Sequence, residues 1–168
     1  LCALYLTKRG HNVSIFERRN DLRSEIITAG KSINLALSKR GLTALKKVGV
    51  DAEVMKIAIP MDKRIMHDDK GNLTEQLYGN QGQAIYSVSR AQLNVLMMKL
   101  AAKNGADLHF NEKCVEANLE QASVVFENTN TNQKQTVTSD LIIGADGAFS
   151  AVRKQMVDQY DHEFNYNK

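Results

Sequence analysis

One short segment near the carboxyl end of the chain constrains the fold more than any other. The apolar run Asp140–Gly144 predicts a buried strand, which leads through a turn ending at Gly147 into a helix predicted from about Phe149 to Val157. Glycine lets the backbone approach a ligand closely, and the first amides of a helix can face a phosphate. The segment therefore predicts a nucleotide contact. A tight strand-to-helix turn capped by Asp146 remains the alternative from these residues alone.

The amino-terminal residues have a related pattern. A helix is predicted up to Gly10, followed by a strand over His11–Glu17 that ends on an acid. In a dinucleotide-binding βαβ unit, such an acid accepts hydrogen bonds from a ribose, whereas an exposed Glu at a strand end is the alternative. The glycine-rich turn that would precede the helix is not among the 168 residues, and neither end carries a structural stop. We therefore expect a partial domain, incomplete at both ends.

Between these segments, periodicity and turn residues predict a mixed order of elements. Helices are predicted from Ser38 to Val48, from a capping Asp51 to Ala58 before a break at Pro60, and from Ser89 to Lys103. In the last of these, Ser89 is the expected cap, and the expected apolar stripe consists of Leu93, Leu96, Met97 and Leu100. Strands are predicted at 64–67 and 73–78 as a hairpin, and then at 85–88, 107–110, 113–118, 123–127 and 135–138. This order predicts an α/β fold with an inserted antiparallel β portion.

Composition excludes several classes of function. The net charge of +3 is small and scattered, so no nucleic-acid surface is predicted. Cys2 and Cys114 lack CxxC spacing, which indicates free thiols in a reducing, cytoplasmic setting. No run of about 18 apolar residues predicts a membrane span. The four histidines show no ligand spacing, so no metal site is predicted; they are His11, His67, His109 and His162.

A family resemblance narrows the interpretation. The spacing of Asp140, Gly144, Asp146, Gly147, Ser150 and Arg153 resembles a fingerprint of the class A flavoprotein hydroxylases. The segments 30–41, 59–61 and 86–94 resemble the kynurenine-hydroxylating members of that family, and the similarity covers essentially the whole chain. The resemblance implies that residues 1–168 are part of a Rossmann-like FAD-binding domain of the glutathione-reductase type. It also implies that residues 60–88 supply β structure to the substrate-binding part.

The resemblance also implies an activity and a set of site residues. The reaction would be hydroxylation of L-kynurenine with FAD, NADPH and O2, and its chemistry would take place on the flavin, so no catalytic side chain is expected. The implied cofactor-binding residues are Glu17, Arg18, Arg19, Ala36, Arg90, Cys114, Asp146, Gly147 and Ala151. Arg64 and Tyr78, on the two arms of the predicted hairpin, would bind the substrate carboxylate.

Several of these residues also have a purely structural interpretation. Arg18, Arg19 and Arg90 can be surface charges, and Arg64 with Tyr78 can be a cross-strand pair on a sheet surface. The other functions considered are a different class A flavin hydroxylase or reductase acting on another aromatic acid, and a non-catalytic nucleotide-binding module. We expect the 168 residues alone to be inactive.

Overall fold

The computed structural model describes residues 1–24 and 33–160. The first part of the Gly30–Gly41 segment therefore lies outside the described residues, as does His162. The helices are α1 (Cys2–Thr7), α2 (Lys39–Val48), α3 (Asp51–Met55), α4 (Arg90–Lys103) and α5 (Ala151–Tyr160). The strands are β1 (Val13–Glu17), β2 (Asn34–Leu37), β3 (Ile59–Met61), β4 (Lys63–His67), β5 (Leu73–Leu77), β6 (Ile85–Ser89), β7 (Ala106–Phe110), β8 (Glu112–Asn118), β9 (Ser123–Asn128) and β10 (Lys134–Thr138).

The chain divides into two compact units. The first comprises Leu1–Val13 with Leu22–Asp107, and the second comprises Ser14–Asp21 with Leu108–Lys168. In the first unit, β2 and β3 flank β6 in an antiparallel sheet, and β4 pairs with β5 as a separate hairpin. In the second unit, β8 and β10 flank β9 in an antiparallel sheet. Strands β1 and β7, most of whose residues belong to the second unit, pair with each other.

The core of the first unit is built mainly by residues of the helices α1 to α4. Leu4, Leu45, Val50 and Val54 form its buried cluster, in which Val54 is fully buried. The predicted stripe of α4 packs against this cluster through Leu93, Leu96, Met97 and Leu100. The apolar face of an amphipathic helix is buried because its transfer from water is favourable. The predicted stripe is thus confirmed.

Aromatic packing organises the second unit. Phe16 of β1 stacks on Phe126 of β9, with ring centroids 4.1 Å apart, and on His109 of β7, with centroids 4.5 Å apart. Phe126 is buried together with Ala117 and Val124, and Cys114 packs against this cluster. The stack fixes β1, and hence its terminal Glu17, against the strands of the same unit.

Three predictions of local structure are wrong. Asp140–Gly144 is irregular rather than a buried strand, and Leu141 and Ile143 are 70% and 50% exposed. No strand among the described residues pairs with this segment, and a strand exists only where its backbone groups have ladder partners. Asp51 does not cap α3, because Val50 occupies the N-cap position and Asp51 is the first helical residue. The helix α3 ends at Met55 rather than at Ala58, and Pro60, beyond that end, lies in the edge strand β3 opposite Tyr86.

Candidate functional site

The glycine-containing turn before α5 is organised by Asp146. Its Oδ2 atom accepts hydrogen bonds from the amides of Ala151 at 2.6 Å and Val152 at 3.2 Å, and its Oδ1 atom accepts one from the Ser150 hydroxyl. Burial raises the pKa of Asp146, but the bonds from Ser150 and the backbone amides outweigh that effect and leave the pKa below its ordinary value. Asp146 therefore caps the helix as a carboxylate.

The other polar residues of the turn are engaged in the same way. The hydroxyl of Ser150 accepts the amide of Arg153 at 2.9 Å, and the Arg153 guanidinium donates to the carbonyls of Gly147 and Ala148. Gly147 has a φ of +79°, a conformation that side-chain-bearing residues rarely adopt. Arg153 therefore holds the turn closed by binding its backbone.

These contacts correct one expectation. The amides of Ala151, Val152 and Arg153 all donate to side chains of the turn, so they do not face a phosphate. Unsatisfied amides make a helix start an anion site, and here side chains satisfy them. The capping interpretation of Asp146 is what the contacts describe, and any role for Asp146, Gly147 and Ala151 in cofactor binding stays a prediction.

A groove of about 770 Å³ runs along this turn. Gly144, Asp146, Gly147 and Arg153 supply its polar and backbone side, and apolar Ile142 and Met156 also line it. Glu17 and Cys114 are not part of its lining. It is an open surface groove with a mostly apolar lining.

The acid at the end of β1 forms a local ion pair. Oε1 of Glu17 accepts from the Arg19 backbone amide at 3.0 Å and from Arg19 Nε at 3.2 Å. The carbonyl of Arg19 accepts from the amide of Asn111, which fixes this turn against the segment between β7 and β8. Arg18 and Arg19 are exposed. The structure thus places Glu17 at a strand end, as predicted, with Arg19 partly neutralising its charge.

Ala36 and Arg90 both adjoin the pairing of β2 with β6 in the first unit. Ala36 of β2 is opposite Ser87 of β6, and the amide of Arg90 donates to the carbonyl of Ile33 at 3.3 Å. The predicted cap of α4 is confirmed, because Ser89 Oγ accepts the amide of Gln92. With the amides of Arg90 and Gln92 engaged, an anion at this helix start would be bound mainly by the exposed Arg90 guanidinium.

Cys114 lies in β8 within the second unit. Burial raises the pKa of its thiol, and the negative charge of Asp146 raises it further. The thiol is therefore protonated at neutral pH, and since the thiolate is the nucleophilic form, the structure gives Cys114 no reactive character. Its predicted cofactor contact stays untested.

The predicted hairpin is confirmed as β4 and β5, but its pairing differs from the one expected. Arg64 lies directly opposite Gln76, not opposite Tyr78. The amide of Tyr78 donates to the carbonyl of Asp62 at 2.8 Å, so the pairing continues one step beyond the strands. By this register Tyr78 is a diagonal neighbour of Arg64 on the same face. Both side chains are exposed.

Gln76 is a residue that the sequence interpretation missed. Its Oε1 atom accepts from Arg64 Nε at 2.7 Å and also from Arg64 Nη2. The signal that could have found it is the hairpin register, which follows from the length of the turn between His67 and Leu73.

The described part of the chain lacks two further kinds of feature. No group of three or more His, Cys, Asp or Glu side chains that could hold a metal was found in residues 1–24 and 33–160. In the same residues, no helix is both long and apolar enough to cross a membrane.

Each unit contains groups of the kinds that bind parts of a nucleotide. In the second unit, a carboxylate ends a strand at Glu17, and a groove follows the glycine-containing turn. In the first unit, an exposed guanidinium begins a helix at Arg90. Carboxylates bind ribose hydroxyls, and guanidinium groups bind phosphates. Each unit of this mixed α/β fold thus carries groups suited to part of a nucleotide.

The chain belongs to the FAD-binding domain family, since the family model described as "FAD binding domain" matches residues 1–165. It is 42% identical over 168 residues to a kynurenine 3-monooxygenase of Christiangramia forsetii, covering 100% of this chain and 37% of that protein. It is 41% identical to a kynurenine 3-monooxygenase of Anopheles gambiae, covering 98% of this chain and 34% of that protein. The chain thus spans little more than a third of these relatives.

Solved structures confirm the fold. The flavin-dependent monooxygenase PieE, in complex with FAD and substrate, matches with a TM-score of 0.77 at 21% identity, covering 92% of this chain and 29% of that one. A 2-methyl-3-hydroxypyridine-5-carboxylic acid oxygenase matches with a TM-score of 0.72 at 23% identity, covering 92% and 38% of the two chains. The α/β FAD-binding fold is shown by these similarities.

Proposed function

We propose that this chain is the FAD-binding part of a kynurenine 3-monooxygenase, which hydroxylates the aromatic ring of L-kynurenine with NADPH and O2. The observation that carries the proposal is the identity of 41–42% to enzymes of that name across essentially the whole chain. FAD, reduced by NADPH, would supply the oxygen-transfer chemistry. The side chains of this chain would bind and orient the reactants.

The cofactor residues have different tasks in this proposal. In the second unit, Glu17 would accept hydrogen bonds from the adenosine ribose, with Arg18, Arg19 and Cys114 adjoining the same moiety. The turn of Asp146, Gly147 and Ala151 would contact the cofactor through the shape of its surface. It would not do so through the amides of Ala151 and Val152, because these already donate hydrogen bonds to Asp146. In the first unit, Arg90 would bind phosphate with its side chain, and Ala36 would contact flavin with its backbone.

The hairpin of β4 and β5 would bind and orient the substrate. Residues 60–88 would therefore belong to the substrate-binding part. Arg64 offers a guanidinium and Tyr78 a hydroxyl on one face. Both suit the carboxylate of an amino acid, and holding one end of the substrate fixes the approach of its ring. The two free thiols are compatible with the cytoplasmic location that we propose.

Single-turnover and steady-state measurements on the full-length protein test this function. With FAD, NADPH and O2, L-kynurenine should yield its 3-hydroxy derivative, identified by mass spectrometry. Arg64→Met should raise KM for kynurenine while flavin binding stays unchanged. Turnover of hydroxybenzoates but not of kynurenine would instead indicate another flavin hydroxylase, and absence of a bound flavin spectrum would indicate a non-catalytic module.

A further inference from the structure

We infer that Gln76 is a positioning residue that orients the Arg64 guanidinium and directs a second donor at a ligand carboxylate. This inference deepens the proposed function and rests on it, since it concerns the same substrate-binding hairpin face. Gln76 would make that face selective for a carboxylate-bearing ligand over an analogue of the same shape without one.

The hydrogen bonds between the two side chains leave a defined part of Arg64 available. Gln76 Oε1 accepts from Nε at 2.7 Å and from Nη2, which are the donors along one side edge of the guanidinium. The end of the guanidinium, formed by the two Nη atoms, keeps donors directed away from Gln76. That end can bind both oxygens of a carboxylate in the bidentate geometry that arginine favours.

The same contact fixes the orientation of the glutamine amide. Because Oε1 is turned toward Arg64, the Nε2 group must point the other way, and an amide nitrogen is a hydrogen-bond donor only. Tyr78 follows Gln76 by two residues and lies on the same face by the strand register. The face therefore combines the guanidinium end, the amide of Gln76 and the Tyr78 hydroxyl, which together suit an anionic acceptor.

The opposite face of the hairpin has a different character. Ile65, Leu73 and Leu77 lie on it and are 52%, 60% and 61% exposed. Its paired charges, Lys63 and Glu75, bind each other at 2.8 Å. The donors that suit a carboxylate are thus concentrated on the Arg64 face, and the Lys63 face supplies a matched control.

The experiment measures the Kd of L-kynurenine and of its decarboxylated amine for the flavin-loaded full-length protein. Gln76→Leu should weaken kynurenine binding about 2- to 10-fold, the effect of one ordinary hydrogen bond, and leave the Kd of the amine unchanged. Gln76→Glu should weaken kynurenine more strongly, because its carboxylate pairs with Arg64 and competes with the ligand. Glu75→Gln, on the other face, should change neither Kd.

A double-mutant cycle separates positioning from a structural effect. In an Arg64→Met background, Gln76→Leu should weaken kynurenine binding less than it does in the unmodified protein, because the part of its role that acts through Arg64 is already lost. Equal losses for kynurenine and the amine, or additive losses in the cycle, would overturn the inference. If the unmodified protein does not bind kynurenine at all, the proposed function itself fails. If Arg64→Met weakens binding but Gln76→Leu does not, only the role of Gln76 fails.

Discussion

Gly144 and Val152 are packed so closely that a methyl group on Gly144 would lie 3.1 Å from Val152 Cγ1 and 3.2 Å from its Cβ. Glycine at this position is therefore explained by contact between the turn and α5. Gly147 is explained differently, because it needs a positive φ. The two glycines of the fingerprint have separate structural causes, which can be tested separately.

Gly144→Ala should lower the free energy of unfolding by about 1 kcal/mol, the lower end of the range for overpacking, since Val152 would have to shift by a few tenths of an ångström. Urea unfolding of the flavin-free protein measures the change. In a Val152→Ala background the penalty should shrink, because the Cγ1 contact at 3.1 Å is removed and only the contact with Cβ remains. An equal penalty in both backgrounds would contradict the packing explanation.

Asp146→Ala should lower the free energy of unfolding by about 1 kcal/mol, because the amides of Ala151 and Val152 lose their acceptor. Asp146→Asn should retain most of that stability, since the asparagine oxygen can still accept from helix amides. Thermal and urea unfolding of the flavin-free protein would measure both. If Asn is as destabilising as Ala, capping by a side-chain oxygen is not the role of Asp146.

The contribution of Asp146 should also depend on pH in a defined direction. Its folded-state pKa lies below the ordinary value of 3.8, so the unfolded state takes up the proton first. The stability that Asp146 adds is complete above that value and is lost as the pH falls through the lower folded-state pKa. The difference in unfolding free energy between the unmodified protein and Asp146→Ala should therefore be constant near pH 6 and decrease below pH 4. A difference that grows on acidification would contradict the sign.

Arg90→Met should weaken FAD binding about tenfold or more, the cost of removing a charged hydrogen-bond partner. The backbone bond from residue 90 to Ile33 survives the substitution, so the helix start should stay intact. Quenching of flavin fluorescence gives the Kd, and circular dichroism checks the fold. Lys99→Met, which removes an exposed charge from the same helix, is the control and should leave FAD binding unchanged.

Local signals were sufficient where neighbouring residues determine the structure. Ser89 as a cap, the stripe of α4 and the hairpin of β4 and β5 all follow from residues within a few positions of each other. The segment Asp140–Gly144 was predicted wrongly, because its apolar pattern indicates a strand but the formation of a strand also requires a pairing partner.

In the candidate site, too, some features could be predicted from the sequence and others could not. The positions of Glu17 at a strand end and of Asp146 at a helix start followed from sequence spacing. The partners of these groups did not, since the pairing of Glu17 with Arg19 and of Arg64 with Gln76 depends on side-chain orientation. Spacing alone also could not show that the side chains of Asp146 and Ser150 accept the hydrogen bonds of the first α5 amides.

The satisfied amides of α5 bear on how this domain can change over evolutionary time. A helix start whose amides are bound by its own side chains keeps its geometry whether or not an anion is present. On the proposed function, affinity for the cofactor phosphates would reside in exposed side chains such as Arg90, which a single codon change can add or remove without unfolding a helix. Cofactor affinity and fold stability would then be separately adjustable traits, and selection could act on one while the other is preserved.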